Sequence, residues 1–214
     1  MLTTFPIHIN LQNRQCLIIG GGAIAVRRAR QLLTAGARIS LVHPRRPAAL
    51  KVPIQNGLIR FYPRSFRSGD TRGMILVMNT FNSKPKFSRA LFNLALRRGF
   101  LLNSHDQPQF STFIMPALIQ RGSLQIGISS SGMSPSLSKR LKEDLEKMFD
   151  HEFDQFFQWV ASSRLKIIKN HSFKRNRYPG IQELIQGFKV SGKIQYPKGW
   201  EKKVLPNLLK GPNH

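Results

Sequence analysis

Two groups of residues in this sequence have the types and spacing to do chemistry. The first is Gly20-Gly21-Gly22-Ala23-Ile24-Ala25, a G-x-G-x-x-A run. In such a run Gly20 permits a tight turn, Gly22 lets the backbone approach a pyrophosphate, and Ala25 lets the next helix lie close to a sheet. A helix starting at Ala23 would also offer free N–H groups and a positive dipole end to phosphates. A glycine turn that holds no nucleotide is the competing reading. The second group is Asn103-Ser104-His105-Asp106-Gln107-Pro108. The chain has 34 Lys and Arg against ten Asp and Glu, and residues 1–142 keep only two acids, Asp70 and Asp106. A carboxylate spared in so cationic a stretch could act as general base toward a substrate bearing C–H and N–H groups. The alternative is an Asx turn ahead of Gln107-Pro108. Asp70, in a Ser-Gly-Asp-Thr turn, reads as structural.

The elements that must position these residues follow from periodicity. Gln15–Ile19 is a short aliphatic run bounded by glycine and reads as a buried strand. Residues 23–35 carry Val26, Ala29, Leu32 and Leu33 at helical spacing and stop at Gly36, a helix terminator. Arg38–Val42 reads as a second strand, ended by Pro44. Residues 58–61 make a weak third strand, 74–78 a fourth buried on both faces, and 100–103 a fifth. Between the last two, Pro85–Arg98 has its apolar residues in helical register. Alternating strands and helices imply a parallel sheet with right-handed crossovers, and ligands of such sheets sit beyond the carboxyl ends of the strands. Asp106 falls at one of those ends. After residue 108 the pattern changes: 111–114 and 124–129 read as two strands joined by a turn at Arg121-Gly122. Ser134-Pro135 then opens one long helix, with a stripe running from Leu137 through Phe149 to Phe157.

Composition bounds the rest. With 214 residues, 41% hydrophobic content and no long apolar run, the chain reads as one or two soluble domains with no spanning helix and no secretory leader, and so as cytoplasmic. Its single cysteine, Cys16, excludes an intramolecular disulfide or a multi-cysteine zinc site and reads as a small core residue. The six histidines show no metal-ligand spacing, so no structural metal is expected. The net charge of +24 attracts anions in general, nucleic acid included, through a non-specific, salt-dependent term. After the second strand, where an acid usually holds the adenosine ribose, the chain reads Val42-His43-Pro44-Arg45-Arg46. Either the arginines take a 2′-phosphate, giving NADP, or backbone groups hold the ribose and NAD suffices.

The glycine run with Arg27-Arg28-Ala29, the Asn103-to-Pro108 segment, Ser111-Thr112-Phe113-Ile114-Met115-Pro116-Ala117, and Ser129-Ser130-Ser131-Gly132-Met133-Ser134-Pro135 together resemble the siroheme-synthase N-terminal family. Its members are precorrin-2 dehydrogenases, several also sirohydrochlorin ferrochelatases. The resemblance spans roughly residues 4–160. It implies an α/β fold: a Rossmann-type parallel-sheet NAD(P)-binding domain (1–110), a small α+β dimerisation region (111–148), and a helical C-terminal region with a basic tail (149–214). It implies NAD-dependent oxidation of precorrin-2 to sirohydrochlorin in a homodimer, with Fe(2+) insertion in bifunctional members. By position it implies Asp106 as the catalytic aspartate and a transient iron contact. Asn103, Met115, Ser129, Ser130 and Ser134 fall toward the tetrapyrrole, and Gly20, Gly22, Ala23, Ile24, Ala25, Pro44 and Arg45 fall toward the cofactor. Against a substrate with eight carboxylates the basic first half makes sense, and a buried Asp106 in a positive setting would stay ionised. The family's acid-rich stretch after the fourth strand reads Met78-Asn79-Thr80-Phe81-Asn82 here. That departure supports a second reading, a tetrapyrrole-binding or ferrochelatase-only member with a weakened nucleotide site. A third, a basic nucleic-acid-binding protein on the same scaffold, rests on charge alone.

Overall fold

Five short aliphatic runs form one parallel sheet. The structure, a computed structural model, describes residues 4–81, 84–170, 182 and 184–192. In chain order the first elements are β1 (Gln15–Ile19), α1 (Ala23–Thr34), β2 (Arg38–Val42), the short α2 (Lys51–Gln55), β3 (Ile59–Tyr62), β4 (Leu76–Asn79), α3 (Pro85–Arg98) and β5 (Leu101–Ser104). The strand order is β3-β2-β1-β4-β5, every neighbouring pair parallel. The winding reverses between β1 and β4, which opens a crevice at their carboxyl ends.

The sheet is buried on both faces, as a parallel sheet must be. Cys16, Ile18, Ile39, Leu41, Leu76 and Met78 pack with Ala25, Ala29 and Leu32 of α1. Leu17, Ile19, Val42, Val77 and Leu102 pack with Leu91 and Ala95 of α3. Small residues at 25 and 29 are what let α1 approach so closely. Burial pushes the Cys16 thiol up to about 11, as expected of a core residue. Helix α1 ends in a left-handed Gly36, whose N–H donates to Leu33 O at 2.9 Å while Ala37 N–H donates to Leu32 O at 3.0 Å. The third, fourth and fifth strands begin one or two residues later than hydrophobicity alone predicts.

Between β3 and β4 a 3-10 turn over Ser68–Thr71 stands where a longer crossover helix is usual. Asp70 organises it. Its carboxylate accepts from Arg64 Nη2 and Nη1 at 2.6 and 2.9 Å and from the Arg67 N–H at 2.8 Å. The Arg64 guanidinium, aided by the Arg67 amide, holds this carboxyl below its usual range. Arg98, at the end of α3, donates to Ser68 O and Thr71 Oγ1. Ile75 N–H donates to Gln15 O, so the segment closes on the amino ends of the strands, away from the crevice. The structural reading of Asp70 holds.

Two expectations fail beyond β5. No strand forms over 111–114, because hydroxyls take the donors of β5 instead: Thr112 Oγ1 accepts from Leu102 N–H at 2.7 Å and Ser111 Oγ from Ser104 N–H at 2.9 Å. The hairpin is made by β6 (Ala117–Arg121) and β7 (Leu124–Ile128), antiparallel, turning at Gly122 with φ 52°. The single long helix is two, α4 (Pro135–Glu146) and α5 (His151–Asn170). The apolar stripe continues across the break, but Asp150 Oδ1 accepts from Phe153 N–H at 2.9 Å and starts a new helix there.

The chain divides into two compact units, Met1–Phe149 and Asp150–His214. In the second, the aromatic side of α5 stacks on itself and on Phe188, with Phe156 and Phe188 centroids 5.2 Å apart. The basic tail expected at the end of the chain falls largely outside the described residues. Among the described residues no helix is long and apolar enough to cross a membrane, and no three His, Cys, Asp or Glu side chains group as metal ligands.

Candidate active site

The glycine turn leaves β1 with a specific job for each glycine. Gly20 adopts φ 120°, and its N–H donates to Val42 O at 3.1 Å, tying the turn to the end of β2. A Cβ at Gly20 would collide with Thr80 Oγ1, itself anchored by donating to Ile19 O at 2.9 Å. A Cβ at Gly21 would meet the His43 ring at 2.5–2.9 Å. Gly22 is different: nothing lies within 4 Å of its Cβ position. It is the N-cap of α1, with no side-chain cap and no acid in the first turn. Behind it Ala23 is exposed, Ile24 half-buried and Ala25 buried. An open, uncapped helix entrance above a close-packed helix fits a pyrophosphate, whose oxygens the first-turn N–H groups of α1 would satisfy.

The end of β2 lies beside this turn. His43 Nδ1 is 2.7 Å from Arg45 O and 3.2 Å from Arg45 N, so one ring seats Gly21 and fixes the course of the chain at Pro44 and Arg45. The side chains of Pro44, Arg45 and Arg46 are exposed.

Asp106 follows β5, two strands from β1 in the sheet order. The ends of β1, β4 and β5 are in register (Ile19, Asn79, Ser104), which puts the two loops roughly 10 Å apart along the sheet. The expectation of a buried Asp106 is overturned. Its side chain is 68% exposed, with a carboxylate oxygen 3.3 Å from His105 Nε2. The reason is local: Asp106 is left-handed at φ 55°, in a turn closed by Gln107 N–H donating to Ser104 O at 3.2 Å, and that conformation swings the carboxylate off the sheet. Asn103 donates through Nδ2 to Phe113 O at 3.2 Å, and Met115 is half-buried against the core on the α1 face.

The serines form a separate turn at the entrance of α4. Ser129 Oγ accepts from Ser131 N–H at 3.1 Å, Ser130 Oγ from Ser134 N–H at 3.0 Å, and Ser134 Oγ caps the helix by accepting from Leu137 N–H at 3.3 Å. The Ser129 and Ser130 hydroxyls keep their own O–H to donate, while Ser134 Oγ also lies 3.4 Å from Ser136 Oγ. Among the described residues no hydrogen bond or ion pair joins Asp106 to this turn. The site residues thus form three groups, brought by β1 and β2, by β5, and by α4.

Three residues that position the site carry no motif. Asn79 is buried at the end of β4. Its Nδ2 donates to Ser88 Oγ at 2.9 Å, its Oδ1 accepts from Phe81 N–H at 3.2 Å, and its carbonyl accepts from His105 N–H at 2.9 Å. Thr80 and His43 pack against Gly20 and Gly21. Strand register was the available signal, since the first residues past β2 and β4 must flank those past β1.

The sheet order and the glycine turn define a Rossmann-type dinucleotide-binding domain, here followed by a small hairpin-and-helix region. The family model described as "Putative NAD(P)-binding" matches residues 7–117, and that described as "Sirohaem biosynthesis protein central" matches 121–148. The chain belongs to the siroheme-synthase N-terminal family. It is 30% identical over 213 residues to the siroheme synthase of Nitrosomonas eutropha, an alignment covering 97% of this chain and 44% of that protein. It is 36% identical over 162 residues to siroheme synthase 1 of Aeromonas hydrophila, covering 76% of this chain and 35% of that one. The chain therefore spans less than half the length of these curated relatives. Among solved structures, "SirC, precorrin-2 dehydrogenase" superposes with a TM-score of 0.74 at 27% identity, covering 85% of this chain and 89% of that one.

Proposed function

We propose that this chain catalyses the dehydrogenation of precorrin-2 to sirohydrochlorin, with NAD+ or its 2′-phosphorylated form as acceptor. One observation carries the reading. A phosphate-ready glycine turn and an isolated carboxylate stand at the carboxyl ends of one sheet, in a chain similar over 85% of its length to a precorrin-2 dehydrogenase. The dinucleotide, when bound, supplies the two-electron acceptor for the macrocycle. The first-turn N–H groups of α1, from Ala23 to Ala25, with Gly20 and Gly22, would hold its pyrophosphate, and Pro44 and Arg45 would lie toward its adenosine. Asp106 accepts the proton that the oxidised C–H/N–H unit releases, and its exposure leaves it free to reach a macrocycle too large to be engulfed. Asn103 and Met115 line the approach. Ser129, Ser130 and Ser134 donate to the substrate's carboxylates, the first two with a hydroxyl proton to spare, as does the entrance of α4.

A homodimer fits this arrangement. Met133, Leu137, Leu141 and Met148, at the start of α4, along it and just past its end, are exposed in the single chain, Met133 by 70%. A two-stranded hairpin is also marginal without further packing. Where Fe(2+) insertion accompanies the oxidation, the metal is a substrate, and Asp106 with His105 supplies an oxygen and a nitrogen donor for it. The test is direct. Purified protein given precorrin-2 under anaerobic conditions should reduce the dinucleotide stoichiometrically, and Asp106→Ala should not. Full turnover by Asp106→Ala removes the carboxylate from the mechanism.

A further inference from the structure

We propose that His105 is a positioning residue for the dehydrogenation: its ring holds one oxygen of the Asp106 carboxylate so that the other faces the substrate. The proposal rests on the reading of Asp106 given above and adds a second residue to it. A base must stand within about 3 Å of the proton it takes, and a misplacement of about 1 Å can lower a rate roughly 10²-fold. An exposed carboxylate that turns freely meets that demand poorly. The Asp106 side chain is 68% exposed, and its left-handed main chain sets only the direction in which it leaves the turn. Fixing the rotation of the carboxylate needs a side chain beside it.

Among the described residues His105 is that side chain, and no other ion pair or hydrogen bond reaches the carboxylate. Its Nε2 lies 3.3 Å from Asp106 Oδ2, and the ring is the better-covered partner, at 22% exposed. The main chain beneath the ring is itself held. His105 N–H donates to Asn79 O at 2.9 Å, and Asn79 is buried and tied to Ser88 and Phe81. The type of partner matters as much as its place. Asp70 shows the alternative: Arg64 takes both of its oxygens, at 2.6 and 2.9 Å, and leaves neither for a substrate. The chain has 34 lysines and arginines, yet among the described residues Asp106 is paired with none of them. A short imidazole gives up less rotamer freedom than those long side chains. It engages one oxygen and leaves Oδ1 without a partner. In the reaction the substrate loses a hydride to the dinucleotide and a proton to that free oxygen.

The test is anaerobic steady-state and single-turnover kinetics of the full chain with precorrin-2 and the dinucleotide. Wild type is compared with His105→Ala, His105→Gln and His105→Asn, and the alanine change is also made in an Asp106→Asn background. A glutamine amide nitrogen reaches the place of the imidazole Nε2, whereas that of asparagine reaches only the place of Nδ1. His105→Ala should lower kcat about tenfold or more, with KM for precorrin-2 and Kd for the dinucleotide unchanged. His105→Gln should recover most of the loss and His105→Asn should not. In the Asp106→Asn background the alanine change should lower the rate no further, because no carboxylate remains to be held. Should His105→Ala fail to fold, the difference between glutamine and asparagine decides. An alanine variant as fast as wild type, a glutamine variant no better than asparagine, a loss that falls on KM, or an undiminished loss in the Asp106→Asn background overturns the positioning role. If wild type itself passes no electrons from precorrin-2 to the dinucleotide, the dehydrogenase reading beneath the proposal falls instead.

Discussion

Replacing Gly22 by alanine separates the stability of the glycine turn from its binding role. Gly22 has φ −80° and ψ −175°, which any residue adopts, and its Cβ would meet nothing within 4 Å. Two small effects on stability oppose each other. Alanine is a poorer N-cap than glycine by about 0.5–1 kcal/mol, and it gains about 0.4–1 kcal/mol by restricting the unfolded chain. The net change should lie within about 0.5 kcal/mol of zero. Binding should respond far more, because the methyl enters the space through which the phosphates approach the N–H groups of α1. Loss of one or two hydrogen bonds to a charged ligand costs about 1.5–3 kcal/mol, or roughly 10- to 150-fold in Kd. Gly20→Ala should behave in the opposite way. It places a side chain at φ 120° and drives it into Thr80 Oγ1, costing about 1–2 kcal/mol for the backbone and about 1–3 more for overpacking. Chemical denaturation and calorimetric titration of both dinucleotides against the two variants would measure each quantity. If Gly22→Ala binds as wild type does, the phosphates do not lie at this turn, and the account of the cofactor site is wrong.

Other outcomes follow from the same geometry. Asp106→Asn, nearly isosteric and exposed, should lower kcat by about 10²–10⁴ with dinucleotide affinity retained, as single-turnover kinetics and titration would show. Asp70→Asn should be destabilising at neutral pH. The folded pKa of Asp70 lies below its unfolded value, so the carboxylate's contribution is complete above about pH 4 and is lost as pH falls through the folded pKa. Wild-type and variant denaturation curves should therefore converge in acid, and a gap that persists unchanged at low pH would refute this. Cys16, fully buried and with its thiol raised to about 11, should resist alkylation at pH 8 until the protein is denatured. Rapid labelling of the native protein would show the first strand to be less enclosed than described.

The first three elements were legible because glycine brackets them: aliphatic residues fill Gln15–Ile19 and Arg38–Val42, and Gly36 stops the helix between. The later strands are read one or two residues early, since Met74 and Phe100 are apolar core residues that precede their strands. Side-chain competition with the backbone was not legible. Ser111 and Thr112 look like strand residues, and only the position of β5 beside them reveals that their hydroxyls take its donors. The break between α4 and α5 hid for a similar reason, because Asp150 looks like one more acid on a charged face until its carboxylate caps a new helix. At the candidate site, the glycines and Asp106 declare themselves by type and by isolation. His43, Thr80 and Asn79 are ordinary residues made important by what lies one strand away.

The direction of the Asp106 side chain is written in the main chain. A left-handed turn, the His105 N–H on the Asn79 carbonyl, and the Ser111 hydroxyl on Ser104 and Gln107 hold it, and among the described residues no arginine or lysine takes part. Surface charge and aim are therefore independent properties of this molecule. Its cations could be exchanged, thinned or multiplied without turning that carboxyl group, and a surface as lopsided as +24 can sit on a frame whose alignment it does not disturb.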